Sequence, residues 1–275
     1  MRVIIAPTDF SASSLNAVNY ATDMASAIHA SLALLHVCEL PLSYTELPIP
    51  GEVVTEMIAE AEKRIEKLRA DINAKTGGKI RVYAEIKVGS VVNQLEDYCA
   101  PLKPYAVVMS TQGAGAAERF FFGSNTIAVM KRLVWPLIVV PAGARFTSIK
   151  KIGLACDLKK VVETEPVEEV KTLVKEFNAT LDVIHVNTDE DINYGSEIIE
   201  ESGALQEMLA ELHPSYHFLN QVEIEDGLSA FAVAHKLDLL IVVPKKHNII
   251  GRLFHKSHSK QLITHTHVPV MAVHE

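Results

Sequence analysis

Cysteine is scarce in this 275-residue chain: Cys38, Cys99 and Cys156 are widely spaced and form no CxxC pair. That excludes a disulfide framework and a zinc ribbon, and the three read as buried, reduced thiols. Long apolar runs are also missing. None approaches the roughly 20 residues that cross a bilayer as a helix, and the opening Met1-Arg-Val-Ile-Ile-Ala-Pro-Thr-Asp9 is too short for a secretory core. The expectation is a soluble, cytoplasmic protein with no membrane partner. Positive charge is in deficit, with 26 Lys and Arg against 34 Asp and Glu and a formal charge of −8, whereas a general nucleic-acid binder needs a basic face. No nucleic-acid partner is therefore expected. Among catalytic signatures, HExxH is absent and so is the Gly-Lys-Ser/Thr of phosphate-loop hydrolases.

What the chain does have is repetition. Val3–Asp9 is a short β-branched run ending on a loop aspartate, and Ser11 follows as an N-cap for a helix to about Ala30. A strand at Leu32–Val37, a Pro-rich loop, a charge-laced helix over about Glu52–Ala74 stopped by Gly77-Gly78, and a strand at Ile80–Val88 come next. A helix near Val91–Leu102, a strand at Tyr105–Met109, a glycine-bearing loop, a helix ending near Trp135 and Leu137–Val140 complete the unit. Five strands alternating with four helices mean a parallel sheet covered on both faces. The pattern then recurs. Lys151–Asp157 matches Val3–Asp9, Leu181–Val186 matches Leu32–Val37, Leu239–Val243 matches Ala106–Met109, and Val268–Val273 matches Trp135–Val140. Matches in one order at so long a separation indicate duplication of a whole domain. The fold expected is α/β: two tandem open five-stranded parallel sheets of Rossmann-like type, residues 1–145 and 146–275, with the boundary near Gly143–Thr147.

The segment Ser110–Thr126 stands where an α/β protein binds anions, after a strand and at the start of a helix. Gly113 and Gly115 allow close backbone approach, and Gly123, Ser124 and Asn125 open the next helix. Ser124 also suits a plain helix cap, and Gln112 and Arg119 are as well placed for solvent as for a ligand. Phe120–Phe122 reads as packing rather than a base-stacking platform.

With these residues in view, the chain resembles a tandem member of the universal stress protein family, whose domains have an adenine-nucleotide alpha-hydrolase-like fold. Nucleotide-binding members carry a Gly, two residues, Gly, nine residues, then Gly-Ser or Gly-Thr. Gly113, Ala114–Phe122 and Gly123-Ser124 fit, while Ser110 stands where the first glycine is usual. The resemblance implies that Asp9 hydrogen-bonds the nucleoside, that the backbone at Val37 contacts adenine, and that Pro7 and Thr8 border the same pocket. It implies ATP as ligand, with Mg2+ as its companion. Read by themselves, Asp9 equally fits an Asx turn, Val37 fits core, and Pro7 and Thr8 fit a loop.

In the second half Pro244, Lys245, Lys246 and His247 replace the small loop residues and Lys256-Ser257 replaces Gly-Ser, so that copy reads as degenerate. Lys245, Lys246, Arg252 and Lys256 make either a basic pocket for another anion or a solvated surface. Nine of the 12 histidines fall from His213 onward, among them His255 and His258 at a helical spacing, but no Cys or acidic residue completes a ligand set and no metal site is assigned. Pro136, Pro141 and Pro269 flank the last strand of each half, as edge strands require. By resemblance those strands pair, making an intramolecular pseudo-dimer; whether two chains then associate as a homodimer is a separate question, for which helix faces, Phe120–Phe122 and the Pro-rich loop at Leu40–Pro50 are the candidate surfaces. Three functions compete: a stress-response sensor or regulator that holds ATP or a related adenine nucleotide in the N-terminal domain, a nucleotide-independent interaction scaffold, and a slow ATPase or autophosphorylating enzyme. No general base is evident for the last, so no catalytic residue is assigned.

Overall fold

The computed structural model describes residues 2–39, 50–111, 123–187, 196–221, 223–244 and 268–274. The chain divides into two units, Met1–Phe146 and Thr147–Glu275.

Unit 1 runs β1 (Val3–Pro7), α1 (Ala12–Ala27), β2 (Ser31–Cys38), α2 (Gly51–Thr76), β3 (Val82–Val88), α3 (Val91–Leu102), β4 (Ala106–Ser110), α4 (Ser124–Arg132) and β5 (Leu137–Val140). Its strands lie in the order β3-β2-β1-β4-β5, all parallel, with Ile4 opposite both Leu32 and Ala106 in the ladders on either side. The central strands are aliphatic on both faces because helices cover both. Ile4, Ile5, Leu32, Leu34 and Leu35 are fully buried. Helix α1 is rich in Ala and Ser, so its backbone packs closely against β1 and β4; Thr22, buried within it, returns its hydroxyl to Val18 O at 2.8 Å. The helix stops at Ala27 rather than Ala30, since His29 takes a left-handed φ of 53° that turns the chain into β2. Helix α4 stops at Arg132, short of Trp135, whose place before Pro136 disfavours helical backbone.

Unit 2 runs β6 (Lys151–Ala155), α5 (Val161–Thr164), α6 (Val167–Phe177), β7 (Thr180–Asn187), α7 (Ser196–Leu209), β8 (Ser215–Asn220), α8 (Ile224–His235), β9 (Leu239–Val242) and β10 (Val270–Ala272). Its order is β8-β7-β6-β9-β10, the same winding as unit 1. The first crossover differs: where unit 1 has one helix, Pro166 separates α5 from α6. The three cysteines are buried and none is in a disulfide. No helix among the described residues is long and apolar enough to cross a membrane.

Several helices end on a left-handed residue that is not glycine. Lys103 (φ 44°) closes α3 and donates its N–H to Cys99 O; Lys236 (φ 55°) closes α8 and bonds Ala232 O and Val233 O. A side chain in this region costs about 1–2 kcal/mol. Lys103→Gly and Lys236→Gly should therefore each stabilise the fold by about 0.5–1 kcal/mol, the gain being trimmed by glycine's freer unfolded chain. A rise in the urea midpoint of the double variant, additive over the two singles, checks this.

Candidate functional site

In unit 1 the chain winds from β1 through β2 to β3 on one side, then returns to place β4 on the other side of β1. The crevice beyond the C-terminal ends of β1 and β4 is thus the topological switch point, where open α/β sheets take their ligands. Pro7 ends β1, buried, and Thr8 continues the ladder through its N–H to Leu35 O at 2.9 Å. The Thr8 side chain turns inward: Oγ1 accepts the Phe10 N–H at 3.0 Å and meets Ser14 Oγ at 3.0 Å. Its hydroxyl thereby shapes the loop.

Asp9 is exposed at the crevice, and its Oδ1 accepts both the Ser11 N–H at 3.0 Å and the Ser11 hydroxyl at 2.6 Å. Ser11 in turn caps α1 by accepting the Ser14 N–H. The Asx-turn geometry and an outward carboxylate therefore coexist in one residue. Phe10, between them, adopts a φ of 62°; its ring lies 4.7 Å from His36 and under the Arg64 guanidinium, 4.3 Å from the centroid. Such a conformation in a bulky residue is held by its surroundings.

Composition and spacing gave no reason to assign His36 a role, because a histidine in an apolar strand reads as core. Its Nδ1 donates to Thr8 O at 2.7 Å and fixes the end of β1. The repeat held the signal: His185, at the matching place in β7, donates Nδ1 to Cys156 O at 2.9 Å. Val37, next to His36 near the end of β2, is half-buried, with its backbone in register with Lys87 of β3.

On the other side of the crevice, Ser110 ends β4, and Thr111 and Gly123 are joined by a 2.7 Å bond from the Gly123 N–H to Thr111 O. Buried Thr126 adds a second pin, its hydroxyl donating to Ser110 O at 3.0 Å. These two bonds seat the first turn of α4 over the end of β4. Gln112, Gly113 and Gly115 lie outside the described residues, as do Arg119 and Phe120–Phe122.

One expectation is corrected here. Ser124 is not the cap of α4: Gly123 occupies that position with extended backbone (φ −61°, ψ 150°) and no side-chain cap bond, and Ser124 is the first helical residue, exposed. No side chain at the cap position therefore takes up the first N–H groups of α4 among the described residues. Asn125, half-buried, reaches Glu39 beyond β2 with Nδ2 at 3.5 Å from Oε2. Of the residues expected at the site, the structure brings Pro7, Thr8 and Asp9 to one strand end and Gly123, Ser124 and Asn125 to the facing helix start.

Unit 2 repeats the first of these elements closely. Cys156 stands for Thr8 and accepts the Leu158 N–H on Sγ at 3.3 Å; Asp157 accepts the Lys159 N–H at 3.1 Å; Leu158 takes the left-handed φ of Phe10, here 51°. In place of the Thr8–Ser14 pair, the Cys156 thiol donates to buried Glu165 at 3.4 Å. The ligand atoms of Cys156, Asp157 and Glu165 lie within 4.8 Å of one another. Pro244 follows β9, while Lys245, Lys246, His247, Arg252, His255, Lys256, Ser257 and His258 lie outside the described residues.

Two doubly wound parallel units, each with an aspartate loop at its switch point, define a duplicated α/β protein. The chain belongs to the universal stress protein family, whose model matches residues 1–141 and again 148–274. A universal stress protein of Methanocaldococcus jannaschii is 27% identical over 143 residues, covering 50% of this chain and 80% of that protein. Among solved structures, a universal stress protein from Archaeoglobus fulgidus superposes with a TM-score of 0.73 at 18% identity, covering 99% of this chain and 98% of its own. A putative universal stress protein from Pseudomonas aeruginosa gives 0.59 at 12% identity, covering 100% and 93%. At these identities the superpositions speak for the fold.

Proposed function

We propose that unit 1 binds ATP or a related adenine nucleotide across the β1/β4 crevice and serves as a sensor or regulator in a stress response, and that unit 2 is its nucleotide-free partner. The observation that carries this reading is the convergence at one switch point of an oriented aspartate and an uncapped helix start pinned to β4. The donor set fits such a ligand. The Asp9 carboxylate accepts from ribose hydroxyls, the strand backbone at Val37 edges the adenine, and the first N–H groups of α4 with the Ser124 hydroxyl receive phosphate. Gln112, Gly113 and Gly115 complete the phosphate loop in this reading, and Asn125 adds an amide donor beside it. Mg2+ accompanies the phosphates as their counter-ion.

Equilibrium titration of the full chain with ATP and magnesium tests the proposal. Binding of one nucleotide per chain is expected, weakened roughly tenfold by Asp9→Ala through loss of charge-assisted hydrogen bonds, and unchanged by Asp157→Ala. Equal loss from both substitutions would remove the asymmetry between the units. No binding to the wild-type chain at millimolar ATP would instead support a nucleotide-independent scaffold.

A further inference from the structure

The outermost strand of unit 1, β3, is paired on one side alone. Its ladder runs to β2, and no other strand among the described residues joins it. The Leu32 N–H bonds Arg81 O and the Gly89 N–H bonds Cys38 O, which fixes the alternation of the main chain between them. Tyr83, Glu85 and Lys87 turn their N–H and C=O groups to β2, so those of Val82, Ala84, Ile86 and Val88 face outward. An open edge of this length is a template for another strand. Proline, which would interrupt it, is absent from residues 80–88.

The side chains define which strand fits. Tyr83, Glu85 and Lys87 alternate along β3 and so share one face of the sheet. Glu85 and Lys87 pair with each other at 2.5 Å, and both stay part-exposed. The Tyr98 hydroxyl also donates to Glu85; its pKa is pushed up to about 12, by burial first and then by that carboxylate. Tyr83 is 49% exposed.

Lysine on an edge strand ordinarily repels a second copy of the same edge. Here the glutamate two residues earlier reverses the effect. When two β3 strands run antiparallel about a two-fold axis at Ile86, Glu85 of each copy faces Lys87 of the other, and the charges alternate in sign around the axis. The outward main-chain groups agree with this register. Ile86 faces Ile86 of the other copy and Ala84 faces Val88, both as hydrogen-bonded pairs, for about six bonds between the chains. Tyr83 falls opposite Gly89, which has no side chain to obstruct the ring. Moving the axis to residue 85 or 87 sets Glu against Glu or Lys against Lys, so charge selects one register. Unit 2 lacks the device: β8, its outer strand, reads Ser-Tyr-His-Phe-Leu-Asn, and its His217 is engaged by Asp182 of β7 at 2.8 Å.

We propose that the β3 edge of unit 1 is a homodimer contact, in which two copies of this chain join antiparallel about Ile86 with reciprocal Glu85–Lys87 pairs. The contact uses none of the residues assigned to the nucleotide crevice and stands whether or not that crevice holds a nucleotide.

Sedimentation velocity of the full chain over a concentration series, joined to peptide-resolved hydrogen exchange, is the test. A reversible monomer–dimer equilibrium is expected, with the amides of 82–88 gaining protection as the chain associates. Lys87→Glu or Glu85→Lys should each weaken the dimer at least about tenfold, because the two-fold axis counts every like-charge contact twice. The double exchange, Glu85→Lys with Lys87→Glu, restores opposite charges in this register and should return the dimer to near the parent's affinity. Exchange in the parent chain needs no substitution, so it decides the matter even where a variant fails to fold. A chain that stays monomeric up to roughly 100 µM, association without added protection over 82–88, a dimer indifferent to Lys87→Glu, or one that the double exchange fails to recover would each overturn the proposal.

Discussion

Gly123→Asp should abolish adenine-nucleotide binding in unit 1 and yet leave the ligand-free chain at least as stable as the parent. Gly123 holds the N-cap of α4 in extended backbone, φ −61° and ψ 150°, which any residue adopts. Aspartate is among the best N-caps, so its side chain would accept an N–H from the first turn and stabilise α4 by a few tenths of a kcal/mol over glycine. Those same N–H groups are the proposed phosphate donors. The substitution both occupies them and sets a negative charge against phosphate, a combined loss of about 3 kcal/mol or more, hence at least roughly a hundredfold in affinity.

Gly123→Asn separates the two causes. It caps as aspartate does but carries no charge, so it should retain part of the affinity, and the gap between the two variants should narrow as salt is raised. Calorimetric titration at two ionic strengths, with a thermal melt of each unliganded variant, gives every quantity needed. A Gly123→Asp chain that binds ATP like wild type would place the phosphates away from α4.

The parts of this site that were legible in the sequence are those whose meaning is local. A β-branched run ending on Pro7-Thr8-Asp9, and a glycine-serine pair ahead of an apolar helix, are short-range patterns, and the structure brings both to the switch point. What escaped depends on the partner across the sheet. His36 acts through the carbonyl of a residue 28 positions earlier. Ser124 looked like a cap by type, but capping depends on where the backbone leaves the extended region, and the bond from Gly123 to Thr111 sets that point one residue earlier. Duplication was the most useful long-range signal. The aligned Leu-His-Val and Ile-His-Val ends of β2 and β7 mark a shared contact, and the structure shows it as the paired His36–Thr8 and His185–Cys156 bonds.

The same alignment exposes a mismatch that predicts the largest loss of stability in unit 2. Gly153, in the middle of β6, stands where β1 has Ile5, so it serves no turn. Its cross-strand neighbour is Leu240, whereas Ile5 faces Val107, and a Cβ built on Gly153 would meet Leu237 Cδ1 at 2.5 Å, Ile184 Cδ1 at 3.0 Å and Leu240 Cδ1 at 3.2 Å. The two units thus fill one layer in opposite ways: unit 1 from the central strand, unit 2 from the residues around it. Leu237, Ile184 and Leu240 are all buried, so none yields without displacing others. Gly153→Val should accordingly destabilise unit 2 by about 3 kcal/mol, despite valine's preference for strands, and Gly153→Ala by about 1–2 kcal/mol. Leu237→Ala costs stability alone, but combined with Gly153→Val it removes the shortest contact, and the pair should be markedly less harmful than the sum of the singles. Hydrogen exchange resolved by peptide is the measurement. Protection over 151–187 should fall in Gly153→Val and recover in part in the double variant, while protection over 2–38 stays as in the parent. Additive losses in the double variant would show that the space at Gly153 is not what Leu237 requires.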